Sequence, residues 1–248
     1  MTEDGSRTLF DVAANQTLHS MHGAVSEARH VYLQASGVRA RLEAGLDTTV
    51  IEVGLGTGLN LLLTLDAAVA TGARVTYRAL ERTLLTTDVV ASMRWGEHLE
   101  HPELVDAWLE VLEMLHRGAG KTQGEGPRKP YRMLCPLPSD GILEVAFGDA
   151  TDTDGAPWGA ARDLLARGEA HAIYHDAFSP EASPTLWSEG FLSACAAALA
   201  PGGTWVSYSV AGSVRRALAT AGLEVHKEPG PPGGKRDMLR AVRPADPE

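Results

Sequence analysis

A chain of 248 residues, 44% hydrophobic and 22% charged, is long enough to bury a sizeable core as one large domain. No apolar run approaches a membrane span, and MTEDGSRTLF lacks the apolar region of a secretory signal, so the cytoplasm is the expected address. A net charge of −10 argues mildly against a nucleic-acid partner while leaving room for a local basic patch in the C-terminal quarter, and two cysteines, Cys135 and Cys195, are too few for a disulfide framework or a cysteine-based zinc site.

Residues 1–22 are polar, with FDVAANQTLHS reading as extended, and HGAVSEARHVYLQASGVRARLEAG then carries its apolar residues at close to helical spacing. His19, His22 and His30 lie here without a Cys, Asp or Glu in ligand spacing, so they read as surface or core histidines rather than metal ligands. Val50–Val53 is a β-branched strand and Leu59–Ala70 the helix after it. Gly54, Gly56 and Gly58 fill the turn between them. Alternating glycines let a ligand approach backbone that any Cβ would block, and the helix N-terminus offers free N–H groups. The spacing is G-x-G-x-G with Glu52 two residues before it, not the G-x-G-x-x-G of the dinucleotide fingerprint. The second strand, Arg74–Leu80, ends at Glu81. At that place in a nucleotide-binding unit a carboxylate accepts bonds from both ribose hydroxyls; the alternative is a solvated surface acid.

Leu84–His116 has a helical pattern, and GAGKTQGEGPRKP reads as a mobile loop whose GAGKT fails the P-loop spacing. A third strand, Ile142–Phe147, ends in Gly148, Asp149 and Ala150. A helix over Ala160–Arg167 leads to the fourth strand, Ala170–Tyr174, and then to HDAFSPEASPTLW. Ser183 and Pro184 read as N-cap and first residue of a helix reaching Leu199. PGG at 201–203 turns the chain into a fifth strand, Thr204–Ser209. A helix over Ala211–Ala221 and a hairpin of Leu223–Lys227 with Met238–Val242 follow. This βαβα order predicts an α/β fold, one doubly wound, mostly parallel sheet with a C-terminal antiparallel hairpin. The expected organisation is a single domain over 1–248, an N-terminal extension (1–48) preceding a Rossmann-like core (49–243).

The segment from Glu52 to Gly58, E-x-G-x-G-x-G, resembles motif I of the Rossmann-like methyltransferases, which bind S-adenosylmethionine (AdoMet). That resemblance implies a cofactor site of Glu52, Gly54, Gly56, Thr57, Gly58, Glu81, Asp149 and Ala150. Asp149, an acceptor, would face the adenine amine. Three further blocks are more specific: DAFSP before a P-x-L-W helix start, YSVAGSVRR, and the closing GKRDML. With HSMHGAVSEARHVYL and GLGTGLN they resemble the methyltransferase half of the bifunctional tRNA-modifying enzyme MnmC, also known as the stand-alone MnmD. The match runs in separated blocks from His19 to Leu239, with Leu55 in place of an aromatic and extra proline in GPPGG.

The family resemblance implies AdoMet-dependent N-methylation of the 5-aminomethyl group of (2-thio)uridine at the tRNA wobble position, giving 5-methylaminomethyl-(2-thio)uridine. Asp176, at the end of the fourth strand, would orient the amine and accept its proton; capping the following turn is its other reading. Phe178 and Trp187 would stack a flipped base, or simply belong to the core. Arg215, Arg216, Lys235 and Arg236 would meet tRNA phosphates, or form a solvated face. The implied partners are tRNA and a separate FAD-dependent oxidase or other enzyme that supplies the aminomethyl intermediate. The competing functions are methylation of a small-molecule amine, aminopropyl transfer on the same fold, and non-enzymatic AdoMet binding.

Overall fold

The computed structural model describes residues 1–120, 131–234 and 236–245. The extended N-terminal stretch is a short antiparallel hairpin, β1 (Phe10–Asp11) and β2 (Gln16–Thr17). The helical stretch after it is three pieces: α1 (Ala24–Glu27), a π-helical turn over Ala28–Gln34, and α2 (Val38–Glu43). Gly37, with φ of 79°, breaks the run, because that left-handed backbone stops a helix at no steric cost to glycine.

The βα order then follows the sequence pattern: β3 (Thr48–Val53), α3 (Leu59–Val69) and β4 (Val75–Glu81). The long helical stretch divides into α4 (Thr87–Ser92), a 3-10 turn (Trp95–His98) and α5 (Leu104–Gly120). Of the GAGKTQGEGPRKP stretch, 118–120 end α5, and 121–130 lie outside the described residues. Next come β5 (Tyr131–Leu137), β6 (Gly141–Phe147), α6 (Gly159–Leu165) and β7 (Ala170–His175). The helix expected over 184–199 is a 3-10 turn (Pro184–Trp187) followed by α7 (Glu189–Ala198). Ser188, not Ser183, is the cap: its backbone is extended and its Oγ accepts from Phe191 N at 3.2 Å. β8 (Leu199–Ser207), α8 (Gly212–Thr220), β9 (Glu224–Pro229) and β10 (Asp237–Val242) close the chain.

The eight strands order as β5-β6-β4-β3-β7-β8-β10-β9. The five central strands are parallel, and β5, β10 and β9 run antiparallel to their neighbours. β5 is an addition to the sequence reading. Its Pro136 fits an edge strand, where a missing N–H disturbs no ladder on the open side. Glu144 of β6 pins this edge, with Arg132 of β5 at 3.0 Å and Arg167 in two 2.8 Å bonds.

Helices cover both faces, giving two cores. Val50, Tyr77, Ala79 and Tyr174 pack under α1–α3 and α5, whereas Ile51, Val53, Ile173 and Trp205 pack under α6–α8. The period-2 alternation of a strand assigns neighbours in sequence to opposite cores. From β3 the chain builds outward through β4 to β6 on one side, then returns to lay β7 on the other. The carboxyl ends of β3 and β7 are therefore the topological switch point, where open α/β sheets bind ligands.

His175, the last residue of β7, is fully buried between Trp187 (ring centroids 4.3 Å apart), Trp205 and Phe191. Burial lowers its pKa to about 3. Between that value and the ordinary 6.5 the unfolded chain binds the proton and the folded chain does not, so stability is lost as pH falls through this window. Replacing His175 with leucine removes this contribution. In urea titrations, its stability relative to the parent should rise by about 1.4 kcal/mol for each pH unit below 6.5. A constant difference between pH 7 and 5 would contradict the assignment.

Candidate functional site at the switch point

A cavity of about 1070 Å³ opens at the switch point, at the upper end of the roughly 300–1,000 Å³ usual for small-ligand sites. Its floor is the turn after β3. Gly54 has φ of 94°, and a Cβ there would stand 2.9 Å from the Asp176 carbonyl oxygen. Only glycine lets the two strand ends meet this closely. Gly58 starts α3 with φ of 80°, and a Cβ there would strike the Trp108 indole at 2.6 Å. Gly56 faces the cavity, where a Cβ would meet only Leu18 Cδ2 at 3.7 Å. The glycine loop therefore divides into two packing positions and one that leaves room for a ligand.

The other expected cofactor residues separate in the same way. Glu81, Asp149 and Ala150 line the cavity. Glu81 Oε1 accepts from Thr83 N at 2.7 Å and Oε2 from Gly56 N at 3.1 Å, which ties the end of β4 to the glycine loop. Burial raises its pKa. Thr57 is buried beside the loop, and its carbonyl accepts from Trp108 Nε1 at 3.1 Å. Neither Thr57, Gly58 nor Glu52 lines the cavity. Glu52 follows the alternation of β3 into the first core, where Tyr77 Oη donates to it at 2.8 Å and Asn60 Nδ2 at 2.7 Å.

Asp176 lies directly after β7 and lines the cavity. Its backbone N–H donates to Val53 O at 3.0 Å, continuing the β3–β7 ladder by one residue. Its two carboxylate oxygens have different partners, Tyr32 Oη at 2.6 Å and Asn60 Nδ2 at 2.8 Å. The rest of its loop is held from several sides. Tyr208 Oη donates to Ala177 O at 2.8 Å, Trp187 Nε1 to Phe178 O at 2.7 Å, and Gln16 exchanges two bonds with Ser179. Phe178 is half-buried and lines the cavity. Trp187 is buried beneath it and does not line it, so it supports the loop from below.

Arg215 and Arg216 are exposed in the first turns of α8, and Arg236 is exposed in the β9–β10 turn. Because β10 runs antiparallel to β8, that turn lies at the same sheet edge as the cavity. None of the three lines the cavity. Lys235 lies outside the described residues. Among the described residues no group of His, Cys, Asp and Glu could hold a metal ion, and no helix is long and apolar enough to cross a membrane.

Tyr32, Asn60, Tyr77, Tyr208 and Gln16 are absent from the sequence reading of the site. Asn60 carries a signal. It is a buried amide inside the apolar run LNLLLTL, and a buried amide needs polar partners. Tyr32 sits at helical spacing among apolar residues and looks like core until its hydroxyl is placed.

Residues 138–244 match the family of S-adenosyl-L-methionine-dependent methyltransferases. The chain is 33% identical over 96% of its length to the tRNA 5-methylaminomethyl-2-thiouridine biosynthesis bifunctional protein MnmC of Aromatoleum aromaticum. It is 32% identical over 89% of its length to that of Caulobacter vibrioides. In both it spans 34% of the relative, about a third of its length. The crystal structure of MNMC2 from Aquifex aeolicus superposes with a TM-score of 0.69 at 28% identity, covering 100% of this chain and 71% of that one.

The donors and acceptors at the cavity fit AdoMet: a bare backbone turn at Gly56, a strand-end carboxylate at Glu81, and an acceptor at Asp149. A valine in place of Gly56 would fill ligand space. Calorimetric titration with S-adenosylhomocysteine, the demethylated product, should show one site on the parent and at least a hundredfold weaker binding to Gly56→Val, or about 2.7 kcal/mol. Equal affinities would remove the glycine loop from the cofactor site.

Proposed function

We propose that this chain, whose residues 138–244 match the S-adenosyl-L-methionine-dependent methyltransferases, is such an enzyme and methylates the exocyclic amine of 5-aminomethyl-(2-thio)uridine at the wobble position of tRNA. The relatives that support the substrate are named for 5-methylaminomethyl-2-thiouridine biosynthesis. The observation that carries the chemistry is the placement of Asp176: on the cavity wall, at the end of β7, with both oxygens fixed.

AdoMet, when bound, supplies a methyl group already activated on a sulfonium. What remains for the protein is alignment, which can lower a barrier by about 7–11 kcal/mol, and care of a proton. Gly56, Glu81, Asp149 and Ala150 would hold the cofactor, with Gly54, Thr57 and Gly58 shaping the loop. An aminomethyl group is cationic in water and must shed a proton before nitrogen has a lone pair to offer. Asp176 presents an acceptor to the amine N–H, orients it, and balances the positive charge that grows on nitrogen. Phe178 offers a face for the flipped base. Arg215, Arg216 and Arg236 receive the backbone phosphates at the sheet edge that carries the cavity. This reading places the protein in the cytoplasm with tRNA, downstream of an enzyme that installs the aminomethyl group.

Asp176→Asn keeps the shape but removes the charge and turns one acceptor into a donor. Turnover should fall on the order of 10²–10⁴ with cofactor affinity nearly intact. Raising the pH should recover part of the loss, because solvent then deprotonates the amine. Full turnover at neutral pH would return Asp176 to a structural turn.

The phosphate reading makes a separate prediction. tRNA affinity should fall steeply with salt, and replacing Arg215, Arg216 or Arg236 with glutamine should each reduce the slope of log affinity against log salt by about one unit. Slopes that stay identical would remove these residues from the interface.

A further inference from the structure

The environment of Asp176 contains a second carboxyl. Asn60 Nδ2 has two hydrogens and donates one to Glu52 Oε1 at 2.7 Å and the other to Asp176 Oδ2 at 2.8 Å. Two acceptors on one nitrogen place the carboxyls within a few ångströms of each other, in a region only 1% exposed at Glu52. Like charges that close do not both ionise away from water. We propose that Glu52 and Asp176 share a single proton that rests on Glu52, so that Glu52, Asn60 and Tyr32 are positioning residues presenting Asp176 as the anion of the pair.

The surroundings select which partner keeps the proton. Glu52 lies within the sheet, facing Tyr77 and Asn60, whereas Asp176 opens onto the cavity. Burial first, and then the Asp176 charge, push the Glu52 carboxyl well above the usual range. Glu81 adds to this, the bonds from Asn60 and Tyr77 oppose it, and burial outweighs them. Tyr32, Tyr77 and Tyr208 feel the Asp176 charge, and Glu27 acts on Tyr32 and Tyr208. Burial and the Asp176 charge raise the Tyr32 and Tyr208 phenols, which stay neutral and able to donate. Tyr32 thus gives a donor to one oxygen of Asp176 and Asn60 a donor to the other. The carboxylate stays ionised and cannot rotate away from the cavity. Glu52, expected from its motif to touch the cofactor, instead keeps the Glu52–Asp176 pair at one negative charge.

The infrared spectrum of the ligand-free protein at neutral pH tests the proton's position without any substrate. The carbonyl stretch of a protonated carboxylic acid should be present in the parent, persist in Asp176→Asn, and lose one residue's intensity in Glu52→Gln. No difference between the parent and Glu52→Gln would show Glu52 ionised and overturn the proposal, and a band lost in Asp176→Asn but kept in full in Glu52→Gln would put the proton on Asp176. The clamp is tested by Tyr32→Phe, and this arm rests on the proposed reaction. With one donor gone, the Asp176 carboxylate is less stabilised, so the acid limb of kcat should move up by about one pH unit, a tenfold loss on that limb, while turnover recovers in alkali and cofactor affinity holds. An equal loss at every pH would mark Tyr32 as merely structural. If Tyr32→Phe does not fold, the infrared comparison still decides the proposal.

Discussion

The end of β3 and the end of β7 touch, and most of the molecule follows from that contact. The Asp176 N–H bonds to Val53 O, and its carbonyl lies where a side chain on Gly54 would have to go. A parallel sheet that grows outward in both directions from two neighbouring strands must leave a crevice where its helices part to opposite faces. The glycine forms one wall of that crevice and the aspartate the other. Any residue larger than glycine at position 54 would separate them, and with them the groups proposed to hold a methyl donor and an amine.

Polar chemistry is confined to this edge by the alternation of the strands. Along β3, Val50 and Ile51 enter opposite hydrophobic cores, and Glu52 enters the first of these with Val50. A carboxyl there needs partners from that layer. Tyr77 of β4 and Asn60 of α3 supply them, Asn60 carries the connection on to Asp176, and Tyr32 of the π-helical turn holds the other Asp176 oxygen. The N-terminal hairpin adds a further restraint, since Gln16 holds Ser179 and Leu18 lies over Gly56. The segment before the sheet thus forms part of the wall of the site. A net charge of −10 is compatible with a polyanionic partner because Arg215, Arg216 and Arg236 are gathered on the same edge.

Much of this was legible in the sequence because its signals are local. The glycine turn, the strand-end acids and the βα order depend on spacing along the chain, and Glu81, Asp149 and Asp176 come together at one cavity as the order implies. The parts that were not legible depend on contacts distant in sequence. Tyr32 and Asp176 are separated by 144 positions, and no periodicity marks a tyrosine hydroxyl as a clamp. Trp187 illustrates the opposite case: an aromatic beside the site motif proves to be buried support. β5 was hidden because it pairs only with β6, at an edge, beyond a glycine- and lysine-rich stretch that reads as loop. The break before α7 was hidden because Ser183 followed by Pro184 carries the local start signal, whereas the serine that caps the helix is Ser188.

The central claim is that this cavity brings a methyl donor to the aminomethyl group of a wobble uridine. The most direct measurement incubates the protein with AdoMet isotopically labelled in the methyl group and tRNA bearing 5-aminomethyl-2-thiouridine, then identifies the digested nucleosides by mass spectrometry. The account predicts labelled 5-methylaminomethyl-2-thiouridine, with the label in no other nucleoside. Binding of AdoMet without label in that nucleoside, or label elsewhere in the tRNA, would contradict it.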